Sequence, residues 1–410
     1  MANEKSKEKV CIPIGPVHPA LKEPIQIEVE IQGERVVGTN ITLGHVHRGI
    51  EWIGTRRNPI QTIYIAERIC GICNICHPLA FCQAIENAAN IRVPERAEYL
   101  RTIYAELERI HSHLLFLGVA AHEIGFDSIL HYTWLAREKV LDVIEMLTGN
   151  RITKGILMIG GVRRDISKEQ ASKIREMLSY YEKVYKKLSK IFLDDMTIKM
   201  RTRDIGVVSK KDALRLCLVG PTARASGIKK DTRQDFPYAA YGDLNVRALT
   251  PLDLVGEIRG DSYDRTIMRL IEIKQSMELI ERCLKEMPEG PILYEPSLQR
   301  LLLNLKSVSG EGVALVEAPR GELIHYIRME TNDFPSAWKV RAPTYANLHA
   351  LGVILNNCEL ADVPIAVASI DPCISCTNRA VIASEKIVLS QEKLHELCVE
   401  KTRAMKGDSL

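Results

Sequence analysis

Two Cys-x-x-Cys pairs stand far apart in this 410-residue chain: Cys70 and Cys73 in "RICGICNICHP", and Cys373 and Cys376 in "SIDPCISCTNR". If the pairs share one task, the fold must carry the C-terminal part back onto the first third. Together they offer four thiolates, a donor set for a soft or borderline metal such as zinc, nickel or iron. A zinc ribbon gathers its pairs over about 15–20 residues, which does not describe this spacing. Cys76 extends the first pair to Cys-x-x-Cys-x-x-Cys, the start of an iron–sulfur motif, but no further cysteine stands close by. The flanks carry Arg68 and His77 on one side, Asp371 and Arg379 on the other.

Composition narrows the classes. A net charge of +3 from 55 basic and 52 acidic residues gives no general case for nucleic acid or lipid. The opening "MANEKSKEKV" is polar, and no uninterrupted apolar run reaches the roughly 18 residues of a membrane span. Membrane attachment is therefore expected to come through a partner. Eleven cysteines without a leader pattern point to a reducing compartment and to metal or redox chemistry.

Periodicity predicts an α+β body. "IQIEVEI" alternates, Gly33 offers a turn and "RVVGTNITL" returns, which predicts an N-terminal hairpin within 11–45. A helix is predicted from Pro94 through "LLFLG", with Leu100, Ile103, Leu107, Ile110 and Leu114 on one face. Others are predicted over about 130–148, from a capping box at Ser167, and over 262–286 before Pro288 and Gly290. The stretch from "GVALVEAPRGELIHYIRM" to "VPIAVASI" reads as β-rich. The expected layout is one body: 1–55 β, 56–290 a central long-helix bundle, 291–379 β-rich, and 380–410 a tail. His111 and His113, two apart on a helix, cannot chelate one ion and are read as packing or contact residues. "GILMIGG" lacks a phosphate-binding glycine pattern.

"RICGICNICH" and "DPCISCTNR" together resemble the two nickel-ligand signatures of nickel–iron hydrogenase large subunits. "GPVHPALKEP", "RGIEWIG", "ELERIHSHLLFLG", "GPTARASGI" and "APRGEL" are similar to the membrane-bound, energy-converting branch, itself related to the quinone-site subunit of respiratory complex I. The resemblance implies that fold, and terminal nickel ligands at Cys70 and Cys373. It implies that Cys73 and Cys376 bridge nickel to an iron carrying CO and cyanide. By the same resemblance Glu23 passes protons from the terminal cysteine, Arg320 is poised over the open site, and Ser369 donates to a cyanide. Asp371 is a partner for Arg320, and His77 bonds a bridging sulfur. Glu51 matches a carboxylate that binds magnesium in some relatives, and His18 matches a quinone-site histidine. Cys76 is expected to be a buried thiol without metal.

The other cysteines form no second four-thiolate set, so electrons must leave through a small subunit carrying iron–sulfur clusters. The resemblance implies ferredoxin as the ultimate electron partner, further hydrophilic and antiporter-like membrane subunits, and a peripheral place on the cytoplasmic side of the membrane. Arg379 departs from the histidine usual in soluble relatives, in which maturation removes the residues C-terminal to that position. Here the tail is expected to be retained, with a hairpin around Ser384–Lys386 and a helix capped by Ser390 that turns Leu394 and Leu397 inward.

Overall fold

A computed structural model describes residues 9–18, 21, 23–378 and 391–406. The N-terminal part is a three-stranded antiparallel meander of β1 (Lys9–Ile14), β2 (Gln26–Gln32) and β3 (Arg35–Thr42). The predicted hairpin is β2–β3, and β1 adds a third strand. Alternation in β2 buries Ile27 and Val29. They join a small core with Leu351, Ile354, Val363 and Ile370. The sheet is thus the platform on which the C-terminal segment bearing the second cysteine pair is docked.

Helices fill the middle: α1 (Pro59–Glu67), α2 (Cys76–Ala89), α3 (Glu95–Ile124), α4 (Asp127–Thr148), α5 (Lys168–Asp194) and α6 (Ser262–Glu286). Sequence boundaries hold closely. The Ser167–Gln170 capping box closes as expected, and the α3 helix stops at Gly125 in the left-handed region, φ 92°. α3 is buried on nearly every side because α4 and α6 pack along it.

Another antiparallel sheet comes next, β4 (Ser309–Ala318), β5 (Gly321–Glu330) and β6 (Ala337–Arg341), with β5 central. The β4–β5 hairpin turns through Pro319 and Arg320, which puts Arg320 at its tip. Gly321 (φ 124°) and Gly220 (φ 65°) meet back to back there, and a Cβ on Gly220 would collide with the Arg320 carbonyl. Two close glycines therefore let this tip sink into the protein.

The segment "VPIAVASI" is not a strand. It is helix α7 (Val363–Ser369), with a proline in its first turn. Val363, Ile365, Ala366 and Val367 are all buried, so the stretch has no alternation, and a short apolar run buried on most sides does not reveal its own period. Short helices at 298–306, 343–347 and 351–354 likewise make 291–379 mixed rather than β-rich. In the tail, α8 (Gln391–Lys406) forms, but Leu397 is 40% exposed rather than inward. The expected hairpin around Ser384–Lys386 and the Ser390 cap lie outside the described residues. Among the described residues no helix is long and apolar enough to cross a membrane.

Candidate metal centre

Two loops meet in the interior. The first leaves α1 and enters α2, carrying Cys70 and Cys73; the second lies beyond α7, carrying Cys373 and Cys376. Cys70 Sγ lies 3.2 Å from Cys373 Sγ, and Cys376 Sγ lies 3.0 Å from Cys373 Sγ. The ligand atoms of Cys70, Cys73 and Cys376 all fall within 4.8 Å of one another. All four thiols are buried.

Exposed Arg48 ties the loops together. Its guanidinium donates to the carbonyls of Arg68 (2.8 Å), Ile69 (2.8 Å) and Ser375 (3.1 Å), and its backbone N–H donates to Asn378 Oδ1 (3.1 Å). Glu108 of α3 supplies a cap that α2 lacks in its own sequence. It accepts from the N–H groups of Ile75 (2.5 Å) and Cys76 (3.0 Å), and buried Lys154 balances its charge at 3.1 Å. Cys76 begins α2 beside that carboxylate. Burial, then Glu108, pushes its thiol up.

The cluster titrates as a unit. Cys70 is pushed well down, first by the hydrogen bond from Cys373 and then by those from Cys376 and Cys73. Cys376 is pushed well up, first by its hydrogen bond to Cys373. At Cys73 and Cys373 the hydrogen bond with Cys376 pulls down, but the hydrogen bond with Cys70, then burial and the charge on Cys70, outweigh it. With Cys70 pushed down and its neighbours pushed up, gathering more than one thiolate here calls for a compensating cation.

Arg320 reaches in from the β4–β5 tip. Nη1 lies 3.5 Å from Cys73 Sγ and donates to Ser112 Oγ (3.2 Å), while Nη2 and Nε donate to Asp371 Oδ1 (2.7 Å) and its carbonyl (2.8 Å). Among the described residues, Asp371 Oδ2, and Nε and Nη2 of nearby Arg269, are buried with no hydrogen-bond partner. Such orphaned groups around a thiol set are what a buried polar ligand cluster would satisfy. Four buried soft donors and unspent polar atoms fit a metal centre.

A cavity of about 410 Å³ opens at this point, lined by Cys373, Arg320, Asp371, Glu23, Phe116 and Val367 among others. Glu23 accepts from Ser375 N–H (3.1 Å) and is also bonded to the Ser375 hydroxyl. Its charge acts on Cys373. The Ser369 hydroxyl donates to Ala366 O (2.6 Å) within its own helix and accepts from Arg265 Nε (2.8 Å). Glu51 is buried away from the thiols, accepting from Val340 N–H (2.9 Å) with Lys339 at 3.5 Å. His18 is exposed. His77 is buried and held at about 4, first by burial, and pairs with His325. His111 and His113 point apart, to Arg137 (2.8 Å) and Glu272 (2.9 Å), as their spacing requires. Sequence reasoning missed Arg48, Glu108, Lys154, His325 and Thr344, whose hydroxyl accepts from Cys373 N–H (3.1 Å). Arg48 and Glu108 lie in the family-like stretches "RGIEWIG" and "ELERIHSHLLFLG", but none of the five stands in a cysteine motif and no local pattern assigns it a partner.

Comparison with known proteins decides the family. Residues 123–379 match the respiratory-chain NADH dehydrogenase 49 Kd subunit, and residues 48–119 match nickel-dependent hydrogenase. The membrane-bound hydrogenase subunit alpha of Pyrococcus furiosus is 48% identical over 408 residues, covering 97% of this chain and 96% of its own length. The chain belongs to the hydrogenase large-subunit family. This large subunit is also 40% identical to the carbon monoxide-induced hydrogenase of Rhodospirillum rubrum, over 90% of this chain and 99% of that one. A solved membrane-bound sulfane sulfur reductase, an archaeal respiratory membrane complex, matches with TM-score 0.84 and 28% identity, over 92% of this chain and 100% of that one. The protein is an oxidoreductase of the hydrogenase type, a catalytic subunit related to those of complex I-like membrane assemblies.

Proposed function

We propose that this large subunit interconverts H2 with protons and electrons at a nickel–iron centre held by Cys70, Cys73, Cys373 and Cys376. The observation that carries the reading is the convergence of both cysteine pairs, with Cys373 Sγ 3.2 Å from Cys70 Sγ and 3.0 Å from Cys376 Sγ, and Cys73 within 4.8 Å of Cys70 and Cys376, beside a cavity and under an arginine. All four sulfurs would hold the group, Cys70 and Cys373 as ligands to nickel and Cys73 and Cys376 as ligands to both metals. The bound metals, with CO and cyanide on the iron, would supply the Lewis acidity that polarises H2.

The chain's own residues do the rest. A terminal cysteine sulfur takes the proton, and Cys373 is the one that shares the cavity with Glu23. Glu23 receives it and passes it outward, its carboxylate held in place by Ser375. Arg320, fixed by Asp371, places a permanent cation over the cavity side of the thiols, where anionic ligands would otherwise be uncompensated. Apolar walls such as Phe116 and Val367 keep water from competing. Electrons leave to iron–sulfur clusters on a small subunit and onward to ferredoxin, within a complex on the cytoplasmic face of the membrane that couples the redox step to ion translocation.

One observation favours a second reading. The sulfane sulfur reductase shares this fold over nearly its whole length, so the same scaffold could reduce sulfur. Formation of HD from D2 in ordinary water separates the two, because it needs neither the small subunit's electrons nor ferredoxin. The purified nickel-loaded complex is expected to make HD. Sulfane-sulfur reduction without HD would replace the hydrogenase reading.

A further inference from the structure

Three buried rings run in file from β6 to the thiol pocket: Trp338 on β6, His325 on β5 and His77 in the first turn of α2. Trp338 Nε1 donates to His325 Nδ1 at 3.2 Å, and His325 Nε2 lies 3.2 Å from His77 Nδ1. Packing fixes the file. The Trp338 ring meets Phe81 edge-on with centroids 5.3 Å apart, and any side chain at Gly54 would strike it. All three residues are at most 1% exposed.

An indole nitrogen donates and cannot accept, and this sets the direction of both bonds. His325 must therefore leave Nδ1 bare. Burial keeps His325 uncharged, so its single proton sits on Nε2 and is donated to His77. That bares Nδ1 of His77 and leaves its proton on Nε2. The opposite arrangement would set two N–H groups head to head at Trp338. His77 feels the charge of Cys70.

We propose that Trp338 is a positioning residue whose indole N–H, relayed through His325, sets His77 in the Nε2–H tautomer next to the thiol cluster. In that tautomer Nε2 offers a proton and cannot take one. His77 then cannot relieve a cysteine of its proton, which leaves that step to Glu23. The consequence rests on the proposed thiolate centre, whereas the tautomers do not.

Histidine-selective 15N spectra of the purified complex test this, with His77 and His325 assigned from the resonances lost in His77→Gln and in His325→Leu. Both rings are expected as Nε2–H in the native protein, whichever metal is bound. Trp338→Phe keeps the ring but removes the donor, and Nδ1–H signals should then appear for His325 or His77. His325→Leu should release His77 in the same way. His325→Gln, whose amide can accept from Trp338 and donate to His77, should preserve it. In the metal-loaded complex the iron-ligand infrared bands should shift in Trp338→Phe and stay in place in His325→Gln. An Nδ1–H tautomer at either ring in the native protein overturns the proposal, and so does an unchanged pair in Trp338→Phe.

Discussion

Two buried polar regions flank α3, and they are built to different ends. On its α6 side a network joins Glu106, Arg109, Asp231, Arg233, Arg224, Glu272 and Glu317. Glu106 accepts from Arg109 (3.2 Å), Arg233 (3.2 Å), Ser276 (2.5 Å) and Tyr241 (2.5 Å). Arg224 joins Glu272 (2.7 Å) and Glu317 (2.8 Å). Three guanidiniums face four carboxyls, and the mismatch is absorbed by Glu317, which burial and then Asp231 push up toward its neutral form. Burial acts against Glu106 as well, but Arg109 and Arg233 hold it below the usual carboxylate range. On the other side, the thiol pocket has four buried sulfurs, one arginine already committed to a carboxylate, and unpartnered atoms on Asp371 and Arg269. The first region balances its own charge and holds helices together. Buried atoms without a hydrogen-bond partner among the described residues occur in both, Arg224 Nε of the first region included, so what sets the second apart is four sulfurs gathered beside a cavity.

The contrast can be broken at either end. Cys373→Ser removes a ligand from the thiol pocket and should abolish H2 activity while the melting temperature of the metal-free chain stays close to the parent's. A folded, fully active variant would remove Cys373 from the centre. Glu106→Gln strikes the balanced region, leaving Arg109 and Arg233 underpaired. Its expected cost is roughly 3–5 kcal/mol of stability, read from denaturant unfolding, with unchanged infrared bands in the folded fraction.

Glu23→Gln is a finer cut. The amide keeps the contact with Ser375 but cannot carry a proton, so H/D exchange should fall by roughly 10²-fold or more with the metal site still assembled. Unchanged exchange would remove Glu23 from the proton path. The smallest effect is expected at Asp264, away from both regions, where burial raises the carboxyl to about 6 although Arg259 and Gly260 N–H groups bond it. Its native form holds a proton that the unfolded chain releases near the ordinary value of 3.8, so this group's contribution to stability falls as pH rises from about 4 to 6. Asp264→Asn should flatten that slope and gain on the order of 1–3 kcal/mol at neutral pH. Melting curves at pH 4, 5, 6 and 7 check it, and an identical slope in the variant would refute the burial argument.

Much of this is legible in the sequence where the cause is local. The helix at 95–124 arises from its apolar repeat and the capping box from Ser167 and Gln170. The ligand pairs announce themselves by spacing, and resemblance joins them into one site, as the fold does by bringing Cys70 and Cys373 together. The hidden features depend on distant partners. The burial of α7 on most of its surface erases the period that would identify it as a helix. Glu108, sited on α3, caps α2 through space, and no pattern at either position announces that contact. The Ser369 hydroxyl bonds within its own turn to Ala366 and accepts from Arg265 of α6, a distant partner that no local pattern announces. His325 reads as one more alternating strand residue, yet it links Trp338 to His77.

The central claim is that the four-thiolate pocket exists to hold nickel and iron. Metal analysis of the purified complex, combined with infrared spectra in the CO and cyanide stretching region, addresses it directly. The expected result is nickel and iron in equal amounts with those bands present, and their joint loss in Cys373→Ser. Stoichiometric zinc without the bands would contradict the account and leave a zinc-stabilised scaffold in its place.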